Sequence, residues 1–121
     1  MSRDHRKLRV FHDAHSLTLL IYKQTKSFPR DEWYGIRQQI RRAATSVPTN
    51  IVEGSARSGP KDYCKFLTVA LASACELTYL VQLSSDLQLL DPAIHQELAG
   101  QCGSVVRQLQ RLVDRVRILS P

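Results

Sequence analysis

The chain has 121 residues, which fits one domain and excludes a multidomain enzyme, because a single hydrophobic core serves a chain of this length. Hydrophobic residues make up 43% and charged residues 23%, so the chain is expected to fold rather than to stay disordered. The formal net charge of +6 favours polyanionic partners. We expect a single domain over residues 1–121, in which residues 1–9 form a flexible N-terminal arm.

The first two helices are predicted from apolar side chains that recur with the helical period. In the first helix, over residues 10–28, these are Ala14, Leu17, Ile21 and Phe28. Asp31 is the predicted N-cap of the second helix, and Pro48 predicts a kink inside it, because proline removes one backbone hydrogen bond. The predicted core positions of the second helix are Ile36, Ile40, Ala43, Val47 and Ile51.

Two further helices begin at proline residues. Gly59-Pro60 places Pro60 at the first position of the third helix, and Asp91-Pro92 combines an N-cap with a first-turn proline for the fourth. Two apolar rows are predicted in the third helix: Tyr63, Ala70, Leu77 and Leu67, Ala74, Val81. The fourth has one seam: Leu98, Cys102, Val105, Leu109, Leu112, Val116 and Leu119. No segment alternates with period two, so the predicted fold is an all-α, antiparallel, up-and-down four-helix bundle.

The third helix is the most apolar part of the chain. Residues 66–83 carry one formal charge, Glu76, but polar residues interrupt the segment, and its uncharged run over residues 66–75 has the length of a buried core helix. We therefore expect no membrane partner. A helix that is hydrophobic most of the way round must be covered on more than one side, which a neighbouring subunit can provide. Residues 66–106 contain no Lys or Arg, so the basic surface must come from the other helices.

The N-terminus and the cysteines indicate the compartment. The N-terminal residues are charged and contain no apolar stretch, which predicts neither a secretory signal nor a membrane anchor. Cys64, Cys75 and Cys102 are odd in number and far apart, so their spacing fits neither a disulfide framework nor a zinc site. We expect three reduced, mostly buried thiols and a cytoplasmic location.

The segment YGIRQQIRRAATSVPTNIVEG, residues 34–54, resembles the signature of bacterial four-helix-bundle proteins first described as 23S rRNA intervening-sequence proteins. The flanking residues that agree are Ala14, Leu17, Ile21-Tyr22, Thr25 and Phe28-Pro29 upstream, and Phe66-Leu67 and Glu76-Leu77 downstream. This resemblance implies an all-helical fold, ring-shaped homopentamers and no established catalytic activity; for most members the function is unknown. A more distant similarity to the accessory proteins of diversity-generating retroelements implies binding of nucleic acid and of a reverse transcriptase.

Enzymatic chemistry has little support in the sequence. His12 and His15 are three residues apart with Asp13 between them, but a metal site needs three or four ligands and nothing else completes the set, so we interpret them as a solvated pair. The sequence contains no Gly-rich phosphate loop, nucleophile elbow or paired catalytic carboxylates. We predict no catalytic residues, no metal and no cofactor.

The second helix carries a polar stripe, five residues that fall within about 80° of one another around the helix: Arg42, Ser46, Asn50, Glu53 and Arg57. Glu53 and Arg57 have the four-residue spacing of an intrahelical ion pair, and the carboxylate of Glu53 opposes phosphate binding. We interpret the polar stripe first as a hydrogen-bonded structural or inter-subunit surface. A partner-binding site and a plain solvated face are the alternatives.

Five arginines are the candidate nucleic-acid-binding residues: Arg37 and Arg41 on the second helix, and Arg107, Arg111 and Arg115 on the fourth. Together they predict a band that follows a phosphate backbone, whereas the alternative is that they simply flank the core. Phe11, Phe28 and Phe66 are expected to be buried, which leaves Trp33 and Tyr34 as the exposed candidates for base stacking.

These features predict a non-enzymatic scaffold that assembles into a basic homo-oligomeric ring, with a pentamer favoured, and that associates with RNA or DNA. The alternative function is a protein-binding adaptor whose positive charge only keeps it soluble. Retention of nucleic acid that depends on salt concentration separates the two.

Overall fold

The computed structural model describes residues 3–119, and four α-helices contain most of them. The helices are α1 (Arg9–Gln24), α2 (Ile36–Ser55), α3 (Pro60–Asp86) and α4 (Pro92–Ile118). Two short 3-10 helices, His5–Lys7 and Arg30–Glu32, precede α1 and α2. No β-strand occurs in this part of the chain, and the prediction of an all-α protein with four helices is confirmed.

Each helix packs against two neighbours. The hydroxyl of Thr18 in α1 lies 3.0 Å from the carbonyl oxygen of Ala44 in α2. The amide of Gln108 in α4 donates to the carboxylate of Asp13 in α1 over 2.8 Å, which closes the arrangement. Within residues 3–119, α1 does not pack on α3, nor α2 on α4, so these pairs lie diagonally across the molecule.

The core positions predicted from the helical period are buried in all four helices, with one exception. Leu119 is 65% exposed, because α4 ends at Ile118 and Leu119 follows its last turn. Every helix contributes large side chains that are almost completely buried: Leu17, Ile21, Ile40, Ile51, Leu67, Leu77, Leu98 and Leu109. These side chains belong to one continuous hydrophobic cluster, which holds the four helices together.

The connection between α1 and α2 differs from the prediction. α1 ends at Gln24 rather than at Phe28, although the side chain of Phe28 is buried as expected. Asp31 does not cap α2, which begins only at Ile36. The reason is that a tighter turn closes first, in which the amides of Glu32 and Trp33 donate to carbonyls three residues earlier, and Asp31 lies inside that turn.

Pro48 lies inside α2, which continues past it to Ser55, so the proline does not end the helix. The kink expected at this position stays a prediction. Proline has no N–H, which leaves the carbonyl of Ala44 without its usual partner four residues later. The hydroxyl of Thr18 lies 3.0 Å from this carbonyl and 2.8 Å from that of Ala14 in its own helix. Its single proton serves one of the two at a time.

The predicted starts of α3 at Pro60 and of α4 at Pro92 are confirmed. Asp91 is the N-cap of α4 through its backbone carbonyl, which accepts from the amide of His95 over 2.9 Å, and no side-chain cap hydrogen bond forms there. α3 ends in a Schellman motif in which the amide of Leu89 donates to the carbonyl of Ser84. Gln88 occupies the left-handed position of this motif with φ of 62°, where glycine is the usual residue.

The described part of the expected N-terminal arm is docked on the helices. The amide of Arg3 donates to the carbonyl of Ser55 over 2.6 Å, and its guanidinium lies 4.2 Å from the ring centroid of Tyr63. Asp4 caps the first 3-10 helix by accepting from the amide of Arg6 over 3.0 Å. Residues 1 and 2 lie outside the described residues, and the flexibility of the arm stays a prediction.

By length and composition, α3 is the one described helix that could cross a membrane, with a mean hydropathy of 1.5 over 18 residues, of which 33% are buried. The core helix of a soluble protein passes the same test, and both predicted rows of α3 face the core. On the opposite side of α3, four small or apolar residues are exposed, and we call them the α3 outer stripe: Val69, Ala72, Cys75 and Tyr79.

The cysteines do not all behave as predicted. Only Cys102 is buried, whereas Cys64 is half-buried and Cys75 is exposed. The expectation of mostly buried thiols is therefore wrong for Cys75, because its position on α3 faces away from the other helices. Burial raises the pKa of the Cys102 thiol to about 11, which keeps this thiol protonated and unreactive at neutral pH.

Candidate functional site

A shallow groove of about 700 Å³ lies along the outer face of α2, and we call it the α2 groove. One end is aromatic, with Tyr22, Trp33 and Tyr34; the middle carries Arg37, Arg41 and Arg42; the other end is polar, with Ser46, Asn50 and Glu53. The groove forms because the apolar residues of α2 face the core and leave its polar residues on the outside. It brings together residues that the sequence assigns to two separate surfaces of the same helix.

The side chain of Arg41 makes most of its contacts at the junction between α1 and α2. Its Nε donates to the hydroxyl of Thr25 over 2.8 Å, and one terminal nitrogen donates to the carbonyl of Tyr22 over 3.1 Å. The guanidinium also lies 4.5 Å from the ring centroid of Tyr22. Partial burial, and secondarily the charge of Arg37, lowers the pKa of Arg41 from its ordinary value, yet an arginine stays charged in such a site.

Arg37 stands at the aromatic end of the α2 groove. Its guanidinium lies 4.7 Å from the ring centroid of Trp33, and that of Arg30 lies 5.3 Å from the same ring. The indole N–H of Trp33 donates to the carbonyl of Phe28 over 3.1 Å, which fixes the ring. Trp33 therefore positions Arg37 by a cation–π contact.

The arginines of the α2 groove carry charge that no carboxylate neutralises directly. In the part of the chain that the structure describes, neither Arg37, Arg41 nor Arg42 forms an ion pair. Arg42 also borders a second groove of about 550 Å³ between α2 and α3, where Glu76 is the acidic residue. The α2 groove is thus a locally positive surface.

The polar stripe divides into two parts, and Ser46 and Asn50 form the hydrogen-bonded part. The hydroxyls of Ser46 and Ser73 lie 2.8 Å apart across the contact of α2 with α3. The side-chain amide of Asn50 donates to the carbonyl of Ser46 over 2.8 Å and reaches its hydroxyl at 3.0 Å. These bonds connect the polar stripe to the packing of α2 against α3.

The solvent-exposed part of the polar stripe consists of Arg42 and of the pair Glu53 and Arg57. The ion pair expected from their spacing is absent among residues 3–119. The physical reason is that α2 ends at Ser55, so Arg57 no longer follows the helix and its guanidinium lies 4.7 Å from the ring centroid of Phe66 instead. The carboxylate of Glu53 is exposed at the polar end of the α2 groove.

The arginines of α4 are not brought together with those of α2. Arg107, Arg111 and Arg115 are all exposed, and Arg111 and Arg115 line a cleft with residues 8–10 at the start of α1. Arg41 contacts the other end of α1, which is 16 residues or about 24 Å long. The predicted band is therefore interrupted within one protomer, because α2 and α4 do not pack on each other within residues 3–119.

The aromatic predictions have mixed outcomes. Phe28 is buried, whereas Phe11 and Phe66 are only half-buried. Tyr34 is 89% exposed, as expected of a stacking candidate, whereas Trp33 is half-buried. The structure adds Tyr22, which sequence patterns do not single out, because its place beside Arg41 depends on how α1 pairs with α2.

The histidines of α1 surround Phe11 instead of converging on one point. The Nε2 of His12 lies 2.7 Å from the carbonyl oxygen of Arg6, and the ring of His15 stacks on Phe11 with centroids 6.1 Å apart. Over residues 3–119, no group of three or more His, Cys, Asp or Glu residues is placed to hold a metal ion.

The fold and the site define an all-α, four-helix protein with an arginine-lined groove on its outer surface. A family model described as "23S rRNA-intervening sequence protein" matches residues 6–111. The chain belongs to this family, which confirms the resemblance seen in residues 34–54 and extends it into α4.

A solved structure with the same fold matches most of both chains. It is a crystal structure of a protein with unknown function from the S23 ribosomal protein family of Bacteroides thetaiotaomicron VPI-5482, with a TM-score of 0.80 and 19% sequence identity. The alignment covers 87% of this chain and 95% of that chain. A search of curated proteins found no match.

Proposed function

We propose that the protein is a non-enzymatic, cytoplasmic helical scaffold that associates with nucleic acid through its basic surface. The observation that carries this proposal is the α2 groove, where Arg37, Arg41 and Arg42 lie on one outer face and, within the described chain, none of them has a carboxylate partner. An uncompensated positive surface attracts a phosphate backbone without reading its sequence. The distant resemblance to nucleic-acid-binding accessory proteins of retroelements is part of this proposal.

The proposal includes assembly of several copies of the chain through the α3 outer stripe, with a pentameric ring favoured by the family resemblance. The α3 outer stripe exposes Val69 and Tyr79 to water, and α3 contributes no cation after Lys65. Such a surface is suited to a subunit contact. Five copies would carry about +30, five times the +6 of one chain, which strengthens the attraction of nucleic acid.

A protein-binding adaptor is the second candidate function. Aromatic residues and arginine are the residue types that dominate protein interfaces, and the α2 groove presents Tyr34 beside Arg37. The exposed carboxylate of Glu53 in the same groove suits a protein partner better than a phosphate backbone.

The test is fluorescence anisotropy of labelled oligonucleotides from about 50 to 200 mM salt, where counterion release changes affinity strongly. Three arginines predict that log affinity falls against log salt with a slope of about −2 for single strands. The double variant Arg37→Ala/Arg42→Ala should weaken binding equally for unrelated sequences and flatten the slope by about 1.4. Arg41 stays unchanged because it holds the junction of α1 and α2.

The charge-matched control is Arg107→Ala/Arg111→Ala on α4, which removes the same charge outside the α2 groove. A clearly smaller loss in this variant locates binding in the α2 groove, whereas equal losses would show that only total charge matters. Absence of binding at the lowest salt concentration, or binding that is indifferent to salt, would favour the adaptor.

A further inference from the structure

The three aromatic residues of the α2 groove differ in how far their rings are already occupied. The ring of Tyr22 has the guanidinium of Arg41 over it at 4.5 Å, and the ring of Trp33 has Arg37 at 4.7 Å and Arg30 at 5.3 Å. These two rings hold arginines in place.

Tyr34 is the aromatic residue of the α2 groove whose ring has no such contact. It is 89% exposed, and among residues 3–119 its side chain makes neither a hydrogen bond nor a ring contact. Tyrosine usually buries much of its large apolar surface, so a ring left this far in water is unusual. It is available to a flat, apolar ligand surface.

The backbone on both sides of Tyr34 is nevertheless fixed. The amide of Trp33 donates to the carbonyl of Arg30 over 3.2 Å, and that of Gly35 donates to Glu32 over 3.2 Å. Gly35 then accepts from Gln39 in the first turn of α2 over 3.1 Å. Because the backbone is fixed, a ligand that stacks on the ring has to order only the two side-chain torsions of the tyrosine.

Charges for the rest of such a ligand lie along the same groove. Arg37 follows Tyr34 at the start of α2, and Arg42 lies five residues further, about 7.5 Å along the helix axis. Neither guanidinium donates a side-chain hydrogen bond to another described residue, which distinguishes both from Arg41. Together they provide two positive charges beside one free aromatic face.

We propose that the α2 groove binds single-stranded nucleic acid, with one unpaired base stacked on Tyr34 and the adjoining phosphates held by Arg37 and Arg42. This inference rests on the proposed association with nucleic acid and specifies its form. The bases of a duplex are stacked inside the helix, so a duplex offers the α2 groove only its phosphates. Stacking on tyrosine tolerates any base, which makes the preference one for single strands and not for a sequence.

The experiment compares a short oligothymidylate, a short oligouridylate and a duplex of equal length at one low salt concentration. Binding is measured by anisotropy and by the emission of Trp33, the single tryptophan of the chain, which lies in the α2 groove. Tyr34→Leu should weaken single-strand binding by about 5- to 150-fold, the range of one base–aromatic stack, and leave duplex binding unchanged. Tyr34→Phe keeps the ring and should bind like the original protein.

The results separate this inference from the proposed function. Equal affinity for single strands and duplex, together with no loss in Tyr34→Leu, overturns the stacking role and leaves charge-driven binding intact. Single-strand binding that does not change the emission of Trp33 also overturns it, because the ligand then lies outside the α2 groove. No binding of any oligonucleotide overturns the proposed function itself. Circular dichroism and the mass in solution confirm that both variants retain the fold and assembly.

Discussion

Gly54 allows α2 and α3 to approach each other next to their connection. A Cβ placed on Gly54 would lie 2.9 Å from the Cβ of Phe66 and 3.2 Å from Cδ1 of Tyr63. The first of these atoms is fixed to the backbone of α3, so the two helices would have to move apart. This contact explains why the sequence segment that ends in Ile-Val-Glu-Gly has glycine at its last position.

Gly54→Ala is therefore expected to lower the free energy of unfolding by about 1 to 3 kcal/mol through overpacking, although alanine is the better helix former. Gly100→Ala is the matched control, because a Cβ there meets no atom within 4 Å in the exposed face of α4. That change should raise stability by about 0.5 to 1 kcal/mol. Urea denaturation measures both, and a shift of the same sign in the two variants would contradict the packing argument.

The arginines show how far sequence reasoning reaches at single positions. The helical period correctly places Arg37, Arg41 and Arg42 on the outside of α2, but it treats Arg37 and Arg41 as equivalent. The contacts that commit Arg41 to a structural role come from Thr25 and Tyr22, 16 and 19 residues earlier in the chain. Such contacts depend on the pairing of helices, which the period of one helix does not contain.

At the level of the helices, α1 compensates for the proline inside α2. Pro48 leaves the carbonyl of Ala44 without an amide, and Thr18 places its hydroxyl 3.0 Å away. A buried carbonyl without a partner costs about 1 to 3 kcal/mol, so this one contact links the integrity of α2 to the position of α1.

A double-mutant cycle tests this link. Thr18→Val should cost about 1 kcal/mol when Pro48 is present, because the carbonyl of Ala44 then loses its donor. In a Pro48→Ala background the new N–H at position 48 serves that carbonyl, so the same change should cost clearly less. The free energies of unfolding of the four proteins give the coupling, and strictly additive effects would show that the hydroxyl of Thr18 serves only Ala14.

The interiors of the helices could be predicted from sequence, whereas several of their ends could not. The apolar period depends on which face meets the core, and every residue that it assigned to the core is buried except Leu119. It missed other buried residues, such as Ala44, Leu80 and Val113. Ends depend on turns: a 3-10 turn holds Asp31 outside α2, and a Schellman motif with Gln88 ends α3 without the usual glycine. These turns are set by backbone hydrogen bonds that many sequences can form.

For the molecule as a whole, the α2 groove and the α3 outer stripe are separate surfaces. The α2 groove is positive, whereas the four residues of the α3 outer stripe are uncharged and small or apolar, and the exposed carboxylate of Glu76 lies on the same side of α3. Assembly through the α3 outer stripe would leave the α2 groove of every subunit open to solvent. The proposed oligomer and the proposed nucleic-acid site are therefore compatible in one particle.

Light scattering coupled to gel filtration should give a mass about five times that of one chain. The double variant Val69→Lys/Tyr79→Lys should shift the mass towards a single chain, because it places two charges in the α3 outer stripe. Leu19→Lys is the control, since Leu19 is an equally exposed apolar residue on α1.

Alkylation of Cys75, which belongs to the α3 outer stripe, gives a second measurement of the assembly. Iodoacetamide should react with Cys75 slowly in the assembly and quickly in the double variant. A single-chain mass for the original protein would contradict the proposed assembly.

The contact of Gln108 with Asp13 has a consequence for the order in which the protein folds during synthesis. It joins residues 95 positions apart, whereas α2, α3 and α4 are consecutive and pack on their immediate neighbours. At about 5 to 20 residues per second, α1 is exposed for about 5 to 20 s before the ribosome has made its α4 partner. During that interval α1 can pack only on α2, and its remaining apolar surface is a natural target for chaperones that bind nascent chains.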